Sequence, residues 1–162
     1  FRYAFPLLQE YGLTGAFGVV TGYLGNQGYM TWDQVRQMRD AGNEMVSHSV
    51  NHTDLGAVTP EEAATEVRES RTALEKNLGQ PAQILIYPYG EPFAHGSTET
   101  QETVVGVLRE QGYAAAVTNP LPGAWPDLAQ DASQPYQLKR IMVSGGMGLG
   151  RFAARLAGDD TQ

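Results

Sequence analysis

Residues 44–52 read EMVSHSVNH, an apolar run that leads into two histidines four positions apart. The run over 44–50 predicts a buried strand. His48 and His52 are two of only three histidines in the chain. Two imidazoles at this spacing can converge on one metal ion if the backbone turns after the first, and neutral imidazole suits zinc, cobalt, nickel or iron. The alternative is a pair of surface or capping histidines near the end of a strand.

Strands and helices alternate outward from this stretch. Thr31 and Thr59 have the sequence of helix N-caps, and Pro60 suits a first helical position. The other predicted strands cover 15–24, 84–87, 113–118 and 138–143, and the predicted helices cover 31–42, 59–79, 100–111 and 151–156, with a loop over 120–135. This order is typical of an α/β fold with parallel strands, here as a single domain over 1–162. Chemistry in such folds gathers at the carboxyl ends of the strands, where the histidine pair falls.

Composition excludes several functions. The net charge of −7 argues against non-specific nucleic-acid binding and against docking on anionic lipid. No apolar run is long enough to cross a membrane. The absence of cysteine excludes thiol catalysis, disulfides and thiolate metal sites, so a metal must bind His, Asp or Glu. There is no G-x-S-x-G motif and no phosphate-binding glycine motif.

Three further features are candidates for function. The turn Tyr87-Pro88-Tyr89-Gly90 follows a predicted strand and can aim a backbone N–H into a cleft, or it can simply end that strand. His95 lies in the next loop, as a proton donor or a solvated side chain. Trp125 lies in the proline-rich loop, where its ring can stack on a sugar or cover the core.

These pieces together resemble the polysaccharide deacetylase family, also called carbohydrate esterase family 4 or the NodB homology domain. The resemblance rests on AFPLLQEYGLTGAF at 4–17, on the run from Thr31-Trp32 to Gly42-Asn43-Glu44, on SHSVNH at 47–52 and on YPYG at 87–90. It implies a distorted (β/α) barrel with fewer than eight strands. It also implies hydrolysis of N- or O-acetyl groups on a sugar, with a divalent metal, usually zinc.

The resemblance assigns roles to residues of this chain. His48 and His52 would be metal ligands, and the backbone N–H of Tyr89 would help to hold the oxyanion. Tyr87 and Pro88 would line the substrate groove, with Trp125 as a further contact to substrate.

The chain also departs from the family pattern. The family's T-F-D-D motif, which supplies the general base and a third metal ligand, belongs on a first strand that is missing from these residues. Ile86 stands where an arginine often precedes the Pro-Tyr pair, and no histidine follows Val143 to serve as the usual proton donor. His95 is the remaining candidate donor, and Arg140 resembles a basic residue of one subgroup. We therefore expect the chain as given to bind metal poorly.

The expected partner is an acetylated carbohydrate, without nucleic-acid binding or membrane insertion. A non-catalytic carbohydrate-binding or structural descendant of the fold and an O-acetyl (xylan) esterase are the alternatives. An unpaired sheet edge would favour a homo-oligomer or strand exchange. The resemblance favours an extracellular or periplasmic location.

Overall fold

Two capping arrangements begin the helices on either side of the histidine stretch. Thr59 and Glu62 exchange hydrogen bonds between side chain and backbone at the start of one helix, which ends at Gly79 in the left-handed conformation. Thr31 and Gln34 form the same reciprocal pair one helix earlier. Such caps satisfy N–H groups that lack an acceptor within the helix. Both helix starts predicted from the sequence are therefore confirmed.

The computed structural model describes residues 1–119, 130–140 and 142–157. The elements in chain order are α1 (Ala4–Glu10), β1 (Ala16–Val19), α2 (Trp32–Asp40), β2 (Glu44–Ser47), α3 (Pro60–Leu78), β3 (Ile84–Ile86), α4 (Thr98–Glu110), β4 (Ala115–Thr118), β5 (Leu138–Lys139) and α5 (Leu149–Leu156). One-turn 3₁₀ helices lie at Thr21–Tyr23, Pro88–Gly90 and Pro135–Gln137. The strand predicted over 44–50 ends at Ser47, because the backbone turns left-handed at Ser49, where φ is 62°. The strand predicted over 138–143 is paired only at Leu138–Lys139 within the described residues.

The sheet has five parallel strands in the order β1-β2-β3-β4-β5. Parallel strands joined in consecutive order by crossovers of the usual right hand have their connecting helices on one face of the sheet. This order lacks the reversal of a doubly wound sheet and is the order found in a barrel wall. β1 and β5 are the edges of an open sheet in the part of the chain that is described. The predicted α/β fold with parallel strands is confirmed.

The core lies between the sheet and its helices. α3 packs against β2 and α4, and Val67, Leu74, Leu85 and Leu108 are completely buried between these layers. None of the described helices is both long and apolar enough to span a bilayer. Packing against the helices holds the strands in place. Because all five strands are parallel, the loops that follow them lie at one edge of the sheet.

Candidate metal and acyl-transfer site

His48 is the first residue after β2, and its ring is fixed by the neighbouring strand. Its Nδ1 lies 2.6 Å from the carbonyl oxygen of Ile86 at the end of β3. A carbonyl can only accept, so Nδ1 carries the proton and Nε2 of the neutral ring keeps a free lone pair. A Cβ at Gly18 of β1 would lie 3.3 Å from His48 Cγ, so the glycine leaves room for the ring.

Burial lowers the pKa of His48 below its ordinary value. The hydrogen bond to Ile86 opposes this change, and electrostatic interactions with His52 and Arg140 add to it. Desolvation disfavours the charged imidazolium, so the ring is neutral at neutral pH. A neutral imidazole with one nitrogen bonded to a carbonyl and the other free is the form in which histidine binds metals.

A left-handed loop brings the second histidine back to the first. Ser49 and His52 have φ values of 62° and 55°, a conformation that side chains rarely adopt. The His52 ring lies edge-on to His48, with 4.8 Å between ring centroids, and edge-on to Tyr89, also at 4.8 Å. The structure therefore brings together His48, His52 and Tyr89, as the predicted site requires.

Every backbone carbonyl of residues 49–51 accepts a hydrogen bond from the turn after β1. Thr21 N–H donates to Ser49 O at 3.2 Å, Gly22 N–H to Val50 O at 2.8 Å, and the Tyr23 hydroxyl to Asn51 O at 3.0 Å. This one-sided attachment fixes the loop against the edge strand of the sheet.

The N–H groups of the same loop point to α3. Glu66 Oε2 accepts from the N–H groups of Val50 and Asn51, both at 2.9 Å, and Oε1 accepts from the Asn51 side-chain amide at 2.7 Å. Desolvation raises the pKa of Glu66, but the hydrogen bonds from Asn51, Val50 and the Thr53 side chain outweigh it, so the pKa is lowered. The carboxylate is therefore ionised at neutral pH and makes charge-assisted bonds to the loop.

The turn after β3 presents one side chain and buries the rest. Tyr87 and Pro88 are fully buried, and the Tyr87 ring packs edge-on to Phe93 with 5.2 Å between centroids. Tyr89 is 60% exposed, with a left-handed φ of 58°. The predicted groove contacts of Tyr87 and Pro88 stay predictions, and the burial of both side chains places them in the core beneath the site.

The ends of β4 and β5 support this turn. The Asn119 side chain donates to the Tyr89 carbonyl at 2.8 Å and accepts from Arg140 Nε at 2.8 Å. The Thr118 hydroxyl donates to Gly90 O at 2.6 Å. A Cβ at Gly90 would lie 2.9 Å from the Asn119 backbone nitrogen, so only glycine allows this close approach.

His95 forms a separate pair with Glu91. The Glu91 carboxylate is buried and lies 2.5 Å from His95 Nδ1, while the His95 side chain is 79% exposed. The carboxylate orients the ring and leaves Nε2 toward solvent. Hydrogen bonds from His95 and Gly96 lower the pKa of Glu91, although burial raises it. Trp125, predicted to contact substrate, lies outside the described residues.

His48 and His52 are side chains of a type that can bind zinc, and catalytic zinc sites usually have three protein ligands. Residues 1–119, 130–140 and 142–157 contain no group of three His, Cys, Asp or Glu placed to hold a metal. The described residues therefore fit part of a divalent-metal site.

Glu66 and Asn119 were not found from the sequence. Asn119 follows β4 directly, so its position at a strand's carboxyl end was an available signal. Glu66 carries no comparable signal, because it lies in an acidic helix where a glutamate is typical of a solvated face.

The described strands form a parallel sheet with a pair of histidines at its carboxyl edge, which is an α/β fold. A family model for polysaccharide deacetylases matches residues 1–116. YxkH of Bacillus subtilis (strain 168), whose name assigns it to the polysaccharide deacetylases, is 27% identical over 151 residues, which are 93% of this chain and 50% of YxkH. The chain belongs to the polysaccharide deacetylase family.

Solved structures show the same fold. The Streptococcus pyogenes deacetylase PplD, in complex with acetate, aligns with a TM-score of 0.75 and 24% identity over 95% of this chain and 63% of PplD. BC0361, a polysaccharide deacetylase from Bacillus cereus, aligns with a TM-score of 0.73 and 20% identity over 94% of this chain and 46% of that protein. The chain thus spans half the length of its curated relative and less than two thirds of these structures.

Proposed function

We propose that this protein hydrolyses acetyl groups on a carbohydrate with the help of a divalent metal, most suitably zinc, held by His48 and His52. The observation that carries the proposal is the convergence of the two rings after β2, with His48 Nδ1 bonded to a carbonyl and Nε2 free. Family membership supports the reaction class.

The reaction breaks the bond between the acetyl carbon and the sugar nitrogen or oxygen. A water oxygen adds to the acetyl carbon, a proton passes to the leaving atom, and the products are acetate and a free amine or hydroxyl. A divalent cation supplies Lewis acidity, which polarises a carbonyl oxygen and acidifies a neighbouring water. The neutral His48 ring keeps its Nε2 lone pair available for this cation, and the His52 ring lies beside it.

The backbone N–H of Tyr89 is proposed to stabilise the negative charge of the tetrahedral intermediate. Its N–H belongs to the second residue of the Pro88–Gly90 turn, where the backbone is left-handed with a φ of 58°. A backbone N–H directed at the developing oxyanion contributes roughly 3–4 kcal/mol in acyl-transfer enzymes. The Asn119 contact to the Tyr89 carbonyl fixes the peptide that follows this N–H.

His95 is proposed as the proton donor to the leaving group. Glu91 holds its Nδ1, so that the exposed Nε2 is the nitrogen that can meet substrate. Such a donor contributes about 10²–10⁴-fold to rate. Tyr87, Pro88 and Trp125 stay predicted substrate contacts.

Metal content and acetate release test the proposal together. This chain, and a longer polypeptide that extends it in the same reading frame, are each assayed with zinc on acetylated chitooligosaccharide and on acetylxylan. His48→Ala and His52→Ala should lose zinc and activity. His95→Ala should keep zinc and lose rate. Zinc binding and acetate release that survive both of the first two substitutions would refute the proposal, and the preferred substrate separates N-deacetylation from O-acetyl esterase activity.

A non-catalytic carbohydrate-binding role is the second candidate. It is favoured by the lack of a three-ligand group within the described ranges. Under this alternative the longer polypeptide binds chitooligosaccharide without releasing acetate. Either activity would suit an extracellular or periplasmic polymer, and secretion is checked by fractionating cells that express the natural gene.

A further inference from the structure

The loop between the two histidines has its backbone hydrogen bonds divided between two elements. Its carbonyls face the turn after β1, and its Val50 and Asn51 N–H groups face a single carboxylate, Glu66. The bond at Val50 is half-buried and the bond at Asn51 is exposed, and a half-buried N–H group needs an acceptor. The loop is therefore held by hydrogen bonds on both sides.

Glu66 is itself held in place by a rigid helix. Its neighbours on α3, Ala63 and Val67, are completely buried, and the Ser70 hydroxyl bonds to Ser47 at 2.8 Å, one residue before His48. The helix is thus attached to β2 beside the first histidine. Glu66 joins the same helix to the backbone of Val50 and Asn51, just before the second histidine.

We infer that Glu66 is a positioning residue that sets the His52 ring relative to His48 and Tyr89. The consequence for metal binding rests on the proposed function. The claim that Glu66 orients the His52 ring does not. The left-handed backbone at Ser49 and His52 is costly, at about 1–3 kcal/mol for each residue, and persists only where surrounding contacts hold it. The two charge-assisted bonds from Glu66 to the intervening N–H groups are such contacts.

The test compares Glu66→Ala and Glu66→Gln with Glu69→Ala, an exposed glutamate one turn along the same helix. Amide hydrogen exchange at Val50 and Asn51, and the nuclear Overhauser contact between the His52 and Tyr89 rings, are measured without metal. Glu66→Ala should raise exchange at both amides about 10-fold or more and weaken the ring contact. Glu66→Gln keeps one oxygen acceptor and should lie between Glu66→Ala and wild type, and Glu69→Ala should match wild type.

Zinc titration is the second measurement. If Glu66 positions His52, Glu66→Ala should weaken zinc binding about 10–100-fold in whichever form of the protein binds zinc, as loss of a ligand-orienting partner does. Unchanged exchange and an unchanged ring contact in Glu66→Ala would overturn the inference. Faster exchange with an unchanged ring contact would also overturn it, because Glu66 would then hold the loop without setting His52.

These outcomes separate the inference from the proposed function. If wild type fails to bind zinc or release acetate, the proposed function fails, while exchange and the ring contact still decide the role of Glu66. If Glu66→Ala unfolds the whole protein, Glu66→Gln carries the same measurements.

Discussion

Gly22 offers a purely steric probe of the loop between the histidines. A Cβ at this position would lie 2.7 Å from the Val50 carbonyl oxygen and 3.1 Å from Asn51 Oδ1. Gly22 does not have a positive φ, so alanine brings no backbone penalty of its own. Ordinary contacts lie near 3.5 Å, so Gly22→Ala must open this gap by roughly 0.8 Å. The hydrogen bond from Gly22 N–H to Val50 O, now 2.8 Å, is then lost or severely stretched.

The expected cost of Gly22→Ala is about 1–3 kcal/mol of unfolding free energy, the usual range for overpacking against backbone. For a domain of this size the melting temperature falls by about 2–12 °C. The loop also moves away from β1, so the edge-on contact between His52 and Tyr89 weakens. Urea unfolding, calorimetry and the nuclear Overhauser contact between the two rings measure these effects.

Gly106→Ala is the matched control. Gly106 lies within α4, and a Cβ there would have no atom within 4 Å. Alanine is preferred over glycine inside helices, so this variant should gain about 0.5–1 kcal/mol. If Gly22→Ala is as stable as Gly106→Ala and leaves the ring contact unchanged, the reasoning about close approach is refuted.

Three further substitutions probe the site. Ser49→Gly should gain about 1 kcal/mol of unfolding free energy, because it relieves a left-handed residue and removes a buried hydroxyl without a partner among the described residues. The control Ser47→Gly should lose stability, because Ser47 is hydrogen-bonded to Ser70. Equal losses for the two variants in urea unfolding would contradict the strain argument. Asn119→Ala should cost about 1 kcal/mol and loosen Tyr89, and an unchanged exchange rate for the Tyr89 amide would count against that link. The lowered pKa of Glu91 contributes stability that is present above its ordinary value of 4.5 and is lost as pH falls through the folded-state pKa. Glu91→Gln should therefore flatten the loss of stability below about pH 4.5 in acid unfolding, and the same acid slope as wild type would exclude that contribution.

The sequence predicted what depends on short-range pattern. The cap residues Thr31 and Thr59 act on neighbours three positions away, so their helices begin where expected. The carboxyl-end rule placed His48 and Tyr89 at one edge of the sheet, and their strands do end there.

The rest depends on contacts that local pattern does not contain. The strand at β2 ends earlier than predicted because Ser49 is left-handed, and its carbonyl accepts a hydrogen bond from the distant Thr21 N–H, a contact that the local sequence does not contain. Glu66 lies fifteen positions after Asn51, and nothing in an acidic helix marks one glutamate as bonded to a distant backbone. The burial of Tyr87 follows from its neighbour Phe93 and from the sheet above it, which an aromatic-rich turn does not reveal.

In the part of the chain that the structure describes, three residues other than glycine are left-handed, Ser49, His52 and Tyr89, and all belong to the segments that form the site. Each left-handed backbone costs about 1–3 kcal/mol, so contacts from the surrounding fold must stabilise these three residues by at least that amount. The fold does so through the turn after β1, through Glu66 on α3 and through Asn119 after β4. Because each support comes from a different element, loosening any one of them should displace the rings before it unfolds the protein. We therefore expect the geometry of the histidine pair to be less stable than the fold that carries it.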